Sequence, residues 1–263
     1  MHGLQFEPPE AFRRIRFVLM QPSHPGNVGA TARAMRTMGL ERLVLVDPRF
    51  PDVLTRPDAL AFASNSADIL ANAHCFPDLE AALSGVSLAV AVSAASREFG
   101  PIPQSPASLA PRVLTELAAH PAHEIAVVFG PERTGLSIEA VQRCQALVSI
   151  PTAPGHESLN LAQSVQVMAY ALACAAHQEQ PALDTLPWVG RLASHEALEG
   201  LYAHLERSMI AIAFIDPRHP KKLMPRLRRL LSRARLEVEE VDILRGICTQ
   251  IDKLAQADRG EKP

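Results

Sequence analysis

Three short stretches carry the residue types from which a ligand site is built. The first, PSHPGNVGATAR at residues 22–33, sets Gly26 and Gly29 around a turn that opens a helical pattern, with Asn27 between them and Arg33 further along. A helix N-terminus presents unpaired backbone N–H groups and the positive end of the helix dipole, so such a turn can hold an anion. On its own it also reads as an ordinary tight turn followed by a surface arginine. The second, FGPERTGL at residues 129–136, brackets Glu132 and Arg133 between Gly130 and Gly135. Glycines permit unusual backbone angles or the close approach of a ligand, whereas the acid–base pair alone would be a weak surface ion pair. The third, IPTAPGHESLNLAQSVQV at residues 150–167, begins a helical pattern at Ser158 or Asn160, both types that cap helices.

The elements that must hold these stretches alternate. Apolar runs at 15–20, 42–46, 87–92, 124–129 and 146–150 read as strands, and helical spacing appears at 27–39, near 57–72, at 78–84, 106–119 and 158–177. Strands that are apolar throughout are buried on both faces, which predicts an α/β fold with a mostly parallel sheet. Each of the three stretches then leaves the C-terminal end of a strand, the edge at which ligands gather in such sheets. The apolar residues of 158–177 do not form one narrow stripe, so that helix needs cover on several sides. A subunit interface or a central place in the domain would supply it. Strand, glycine turn, helix and a second strand ending at Asp47 also suggest dinucleotide binding. The turn reads GNVG, not GxGxxG. That departure weakens the competing reading, an NAD-type oxidoreductase. Residues 179–190 carry prolines without periodicity and separate a domain at 1–178 from an extension at 191–263, where helical patterns fall at 194–214, 219–234 and 237–255.

Taken together, in this order and spacing, the three stretches resemble the SpoU/TrmH branch of the SPOUT RNA methyltransferases. Asn27 and Arg33 match its first motif. Phe129, Gly130, Glu132, Gly135 and Leu136 match the second, and Ile150, Pro151, Ser158, Leu159, Asn160 and Leu161 the third. The resemblance covers about residues 14–178, and the extension is most similar to that of members modifying cytidine or uridine at nucleotide 32 of the tRNA anticodon loop. The resemblance implies a C-terminal trefoil knot over about residues 124–177. It implies S-adenosylmethionine held by Val92, Ser93 and Ala94, by Gly130, and by Ile150, Ser158, Leu159 and Asn160. The implied reaction is attack of a ribose 2′-oxygen on the sulfonium methyl, without a metal, in a homodimer that contributes Arg33 across its interface. The implied catalytic set is Arg33, Asn27, Glu132, Ser158 and Asn160, with Glu132 orienting Arg133 or the substrate. A guanidinium with a pKa above about 12 is a poor base. Gripping the phosphate and acidifying the hydroxyl is the easier role for Arg33. A protein that keeps this fold and binds RNA without turnover is the second reading.

Composition bounds these expectations. The 263 residues are 48% apolar and 21% charged, enough for a sizeable core. A formal charge of −2 argues against a globally basic nucleic-acid binder, but the charge is uneven. Residues 1–178 hold 12 basic and 15 acidic residues, a net of −3; residues 179–263 hold 14 and 13, a net of +1. Eight of those cations and no acid lie in 218–235. A tRNA would meet this run at Lys221, Lys222, Arg226, Arg228 and Arg229, together with Arg33 and Arg133 of the first domain. A solvated helix face and a membrane-surface helix are the alternatives for the run. Cysteines at 75, 144, 174 and 248 form no CxxC pair, which argues against a disulfide framework or a cysteine zinc site and for a cytoplasmic protein. The N-terminal MHGLQFEPPEAFRR lacks the apolar core of a signal peptide, and residues 159–176 are too short and polar for a membrane span.

Overall fold

The computed structural model describes residues 7–94, 100–156, 158–177 and 191–260. The linker expected at 179–190 lies outside them. The chain divides into two compact units, within residues 1–185 and 186–263.

The first unit is built on a seven-stranded sheet. Its strands are β1 (Ile15–Met20), β2 (Arg42–Val46), β3 (His74–Phe76), β4 (Leu88–Val92), β5 (Pro103–Gln104), β6 (Ile125–Phe129) and β7 (Ala146–Val148). They run in the order β3-β2-β1-β6-β4-β7-β5, and every pair is parallel. Each residue of β4 and β6 is buried, as the apolar runs required. The last two strands enter between neighbours contributed by earlier chain: β6 between β1 and β4, and β7 between β4 and β5. The C-terminal ends of β4, β6 and β7 therefore lie side by side, although about 55 residues of chain separate the first from the last.

Helices cover both faces: α1 (Pro25–Thr37), α2 (Pro57–Ala63), α3 (Ala67–Ala71), α4 (Leu79–Ala82), α5 (Pro106–Ala119), α6 (Ile138–Gln142) and α7 (Leu161–His177). On one face α7 packs against α1 and α5, burying Val165, Met168 and Leu172 with Phe17, Leu19 and Met35. On the other, Leu83, Val128, Val141 and Leu147 form a second core. Tyr170 of α7 remains 59% exposed, so the domain covers this helix on several sides but not all. The helix expected over 57–72 is broken, because Ser64 takes a left-handed φ of 53° and separates α2 from α3. The edge strands β3 and β5 were not expected; they are three and two residues long and mostly solvent-facing.

Two features that suggested a dinucleotide site serve other ends. A Cβ at Gly29 would lie 2.0 Å from the Ala59 carbonyl oxygen, so this glycine lets α2 approach α1. The Asp47 carboxylate accepts a hydrogen bond from Gln21 Nε2 at 2.8 Å, within the turns that end β1 and β2.

At the opposite edge of the sheet, Glu124 receives Arg42 through Nη1 at 2.7 Å and Nη2 at 3.2 Å, and also pairs with Arg16. Burial pushes its carboxyl up, but the two guanidinium groups outweigh that and hold the pKa below the usual glutamate value. A carboxyl depressed by folding adds stability that is complete above its unfolded pKa and is lost as pH falls through its folded value. Replacing Glu124 with Gln is expected to cost about 1–2 kcal/mol at pH 7, a figure discounted for partial exposure. Urea melts should show that difference shrinking below about pH 4. A difference unchanged between pH 7 and pH 3 would show that the carboxylate charge is not what stabilises this edge.

The second unit holds α8 (His195–Ala211), α9 (Leu223–Ala234) and α10 (Val238–Gly260), with one antiparallel bridge from Leu192 to Glu237. Leu198, Leu201, Tyr202, Leu236 and Val241 form its core. Asp252 of α10 ties it to α8, accepting from Ser208 Oγ at 2.6 Å and pairing with His204 Nε2 at 3.0 Å. Among the described residues, no helix is long and apolar enough to cross a membrane.

Candidate active site

The stretch after β6 closes on itself. The Gly135 N–H donates to the Pro131 carbonyl at 2.9 Å, and Gly135 takes a left-handed φ of 66°. A Cβ at Gly130 would lie 2.3 Å from both the Gly135 carbonyl carbon and the Leu136 nitrogen. Gly130 was expected to leave room for a ligand. Its missing side chain makes room for the returning segment of its own loop, which anchors through buried Leu136, while its backbone still faces a neighbouring cleft.

This closed loop aims Glu132 at the start of α1. The carboxylate accepts from the Ser23 N–H at 3.0 Å, Ser23 Oγ at 2.9 Å, the His24 N–H at 3.2 Å and Asn27 Nδ2 at 3.1 Å. The anion held at this helix N-terminus is therefore the protein's own glutamate. Arg133 is not among its partners, so of the two expected roles, orienting Arg133 or the substrate, the first is not seen. Burial pushes the Glu132 carboxyl up; the bonds from Asn27 and Ser23 outweigh that and lower its pKa below the usual glutamate value.

The chain of bonds continues into the third stretch. Asn27 Oδ1 accepts from Asn160 Nδ2 at 2.9 Å, and Asn160 Oδ1 accepts the Ala162 N–H at 2.9 Å, capping α7. Asn160 thus caps the helix, which starts at Leu161 and not at 158. Glu132, Asn27 and Asn160 fasten the three stretches to one another.

Beside this link lies a cleft of ≈ 230 Å³ at the C-terminal ends of β4 and β6. Of the predicted residues, it gathers Val92, Ser93, Ala94, Gly130, Glu132, Arg133, Ile150, Ser158 and Leu159. It also takes in Phe129, Pro131, Thr134, Gly135, Thr152, Leu161 and Ser164. Thr152 and Ser164 lie within the third stretch, and Thr152 carried no further signal in the sequence. Ser23 and His24 carried none as partners of Glu132. The lining pairs apolar side chains with hydroxyl groups and loop backbone, a donor set suited to a flat heteroaromatic ring with a polar edge.

Arg33 does not line this cleft. It is exposed on α1, in a groove shared with Phe62 of α2, the capping Asn160, and Gln163 and Gln166 of α7. Asn27 and Asn160 line a neighbouring groove with Phe62.

The second unit corrects one expectation about the basic run. Arg228 is turned inward: its guanidinium bonds Glu199 with Nη2 at 2.7 Å from Oε2, and it lies 4.3 Å from the centre of the Tyr202 ring. It braces α9 against α8 and is not presented to phosphate. Lys221, Lys222 and Arg226 are exposed, and Arg229 is half-buried.

Comparison with known proteins assigns both units. The SpoU rRNA Methylase family matches residues 14–170, and the family described as tRNA methyltransferase TrmJ, C-terminal domain, matches residues 196–260. The tRNA (cytidine/uridine/adenosine-2′-O-)-methyltransferase TrmJ of Pseudomonas aeruginosa is 45% identical over 92% of this chain and 95% of its own length. The tRNA (cytidine/uridine-2′-O-)-methyltransferase TrmJ of Escherichia coli K12 is 41% identical over 95% of this chain and 99% of its own. Among solved structures, TrmJ from Z. mobilis ZM4 superposes with a TM-score of 0.75 at 27% identity, covering 90% of this chain and 98% of that one.

Proposed function

The chain belongs to the SpoU rRNA methylase family of methyltransferases, and from that premise we propose that it transfers a methyl group from S-adenosylmethionine to a ribose 2′-oxygen of tRNA, at nucleotide 32 of the anticodon loop. The observation that carries this reading is a cleft in which residues of the second and third motifs meet, fastened by Glu132 to the first. The tRNA specificity is supported by the relatives named TrmJ and by the match of the extension to their C-terminal domain.

The cleft fits the cofactor's chemistry. Val92, Ala94, Ile150 and Leu159 offer apolar walls, and Ser93, Ser158 and the backbone beside Gly130 offer polar groups for an adenine edge and a ribose. S-adenosylmethionine bound there supplies an electrophilic methyl on a sulfonium. The remaining tasks fall to the protein. Ser158 and Asn160 orient the reacting ribose, and alignment of the attacking oxygen is a proximity effect. Arg33 grips the phosphate next to the target nucleotide and lowers the pKa of its hydroxyl. Asn27 and Glu132 are positioning residues that hold the start of α1 at the cleft.

Because Arg33 stands outside the cleft of its own chain, we assign it to the site of a second subunit in a homodimer. The exposed Tyr170 and Phe62 mark α7 and α2 as the surface that the partner covers. The knot expected over 124–177 belongs to this same proposal, supported by the entry of β6 and β7 between earlier strands. The four cysteines, all free thiols, suit work in the cytoplasm. Lys221, Lys222, Arg226 and Arg229 extend the RNA contact through the second unit.

Incubation with methyl-labelled S-adenosylmethionine and unmodified tRNA is expected to yield a nuclease-resistant 2′-O-methyl dinucleotide, mapped by mass spectrometry to nucleotide 32. Binding of tRNA with no transfer would favour an RNA-binding protein without turnover. Transfer confined to another position would remove the nucleotide assignment and keep the reaction.

A further inference from the structure

The long helix α10 has two apolar faces. Val241 and Cys248 are buried and Leu244 packs on the core of the second unit, but Ile243, Ile247 and Leu254 point away from it, with 64%, 53% and 71% of their surfaces exposed. Between the two isoleucines, in mid-helix, sits Gly246. A helix-interior glycine costs about 1 kcal/mol relative to alanine. A Cβ at Gly246 would meet nothing within 4 Å, so the packing of this unit does not require the glycine. A bare backbone flanked by exposed isoleucines is what a second helix needs for close approach.

The charges around Gly246 choose the partner. Exposed Glu239 lies seven residues before it and exposed Lys253 seven residues after. Seven residues make about two turns and 10.5 Å, so both stand on the side of the helix that carries Gly246. A two-fold axis near Gly246 would run a second α10 antiparallel to the first and set Glu239 of each against Lys253 of the other, with the four isoleucines between them. A parallel pair would set like charge against like. A phosphate backbone seated here would meet Glu239.

We propose that α10 docks antiparallel on α10 of a second copy of this chain, crossing at Gly246. The contact is self-complementary, as a two-fold interface must be. One helix crossing buries less than the roughly 1,200 Å² of a stable interface. It therefore acts within the homodimer already proposed, on which it rests, where the first units hold the two helices at high effective concentration. Its consequence is that the two basic runs are held at a fixed spacing.

The test uses the full chain with Cys75→Ser as background, since Cys75 is exposed. Light scattering reports whether the chain is a dimer. Gly246→Cys under mild oxidation is expected to give a disulfide-linked dimer that the background alone does not form. Adding Ile247→Glu should abolish the link. Adding Glu239→Lys should slow it severalfold, and Lys253→Glu on top should restore it. A dimer whose introduced thiol is titratable but never cross-links would overturn the α10 contact and leave the homodimer standing. Cross-linking indifferent to Ile247→Glu would mark random collision and overturn it too. A monomer by light scattering would overturn both readings.

Discussion

Arg33→Ala is expected to reduce methyl transfer by about 10³-fold or more while leaving S-adenosylmethionine affinity within about twofold of wild type. The size of the loss follows from the task. One charge-assisted donor aimed at an oxygen that becomes anionic in the transition state is worth about 3–4 kcal/mol. The intact affinity follows from place, because Arg33 is exposed on α1 and shares no wall with the cleft. Folding should be untouched for the same reason. Arg33→Lys should recover only part of the activity, since an ammonium keeps the charge and loses the planar fork that grips phosphate. Calorimetry with the cofactor and single-turnover transfer to tRNA separate these outcomes. A large fall in cofactor affinity would move Arg33 into the cleft and overturn its role; transfer at near wild-type rate would remove it from the reaction.

The residues that carry this chemistry were legible as motifs, and the strands that carry them as apolar runs. The expected bounds of β1 and β2, 15–20 and 42–46, coincide with Ile15–Met20 and Arg42–Val46, because strands buried on both faces leave an apolar run, interrupted here only by Arg16 and opened by Arg42. The edge strands lacked it. His74–Phe76 is exposed or half-exposed along its length, so burial selects no pattern there. Couplings across long chain separations were the other blind spot. Glu132 and Asn27 stand 105 residues apart, and the first stretch read as an open anion site because its anion lay in another motif. Arg228 shows the same limit: a run of cations does not say which one turns inward, and its partner Glu199 belongs to another helix. Gly130 was singled out correctly as a place where a side chain does not fit, but the sequence could not tell a ligand from a returning loop.

That last distinction leads to the second large effect. Gly130→Ala would place a methyl 2.3 Å from the carbonyl carbon of Gly135 and the nitrogen of Leu136. Real carbon contacts begin at about 3.5 Å, and both obstacles are backbone, so no rotamer relieves the clash. The loop must open, and opening it moves Glu132 off Ser23, His24 and Asn27. It also disturbs the wall of the cleft that Gly130 and Arg133 share. Overpacking of this kind costs about 1–3 kcal/mol of stability. The larger effect falls on the cleft, where S-adenosylmethionine affinity should drop by about 100-fold or more, the analogue of misplacing a preorganised site by an ångström. Gly135→Ala is the control. Its φ of 66° disfavours a side chain, yet nothing lies within 4 Å of the added carbon. It should cost about 1 kcal/mol and only a few-fold in affinity. Equal effects at the two glycines would mean that backbone conformation, and not the closed loop, governs the cleft. The two lesions can also be combined. In a homodimer that works across its interface, Gly130→Ala subunits lend an intact Arg33 to the clefts of Arg33→Ala subunits. Mixing the two dead variants under exchange should then restore about a quarter of wild-type activity, since half of the dimers are mixed and each regains one site. No recovery would place Arg33 and the cleft of one chain in the same site.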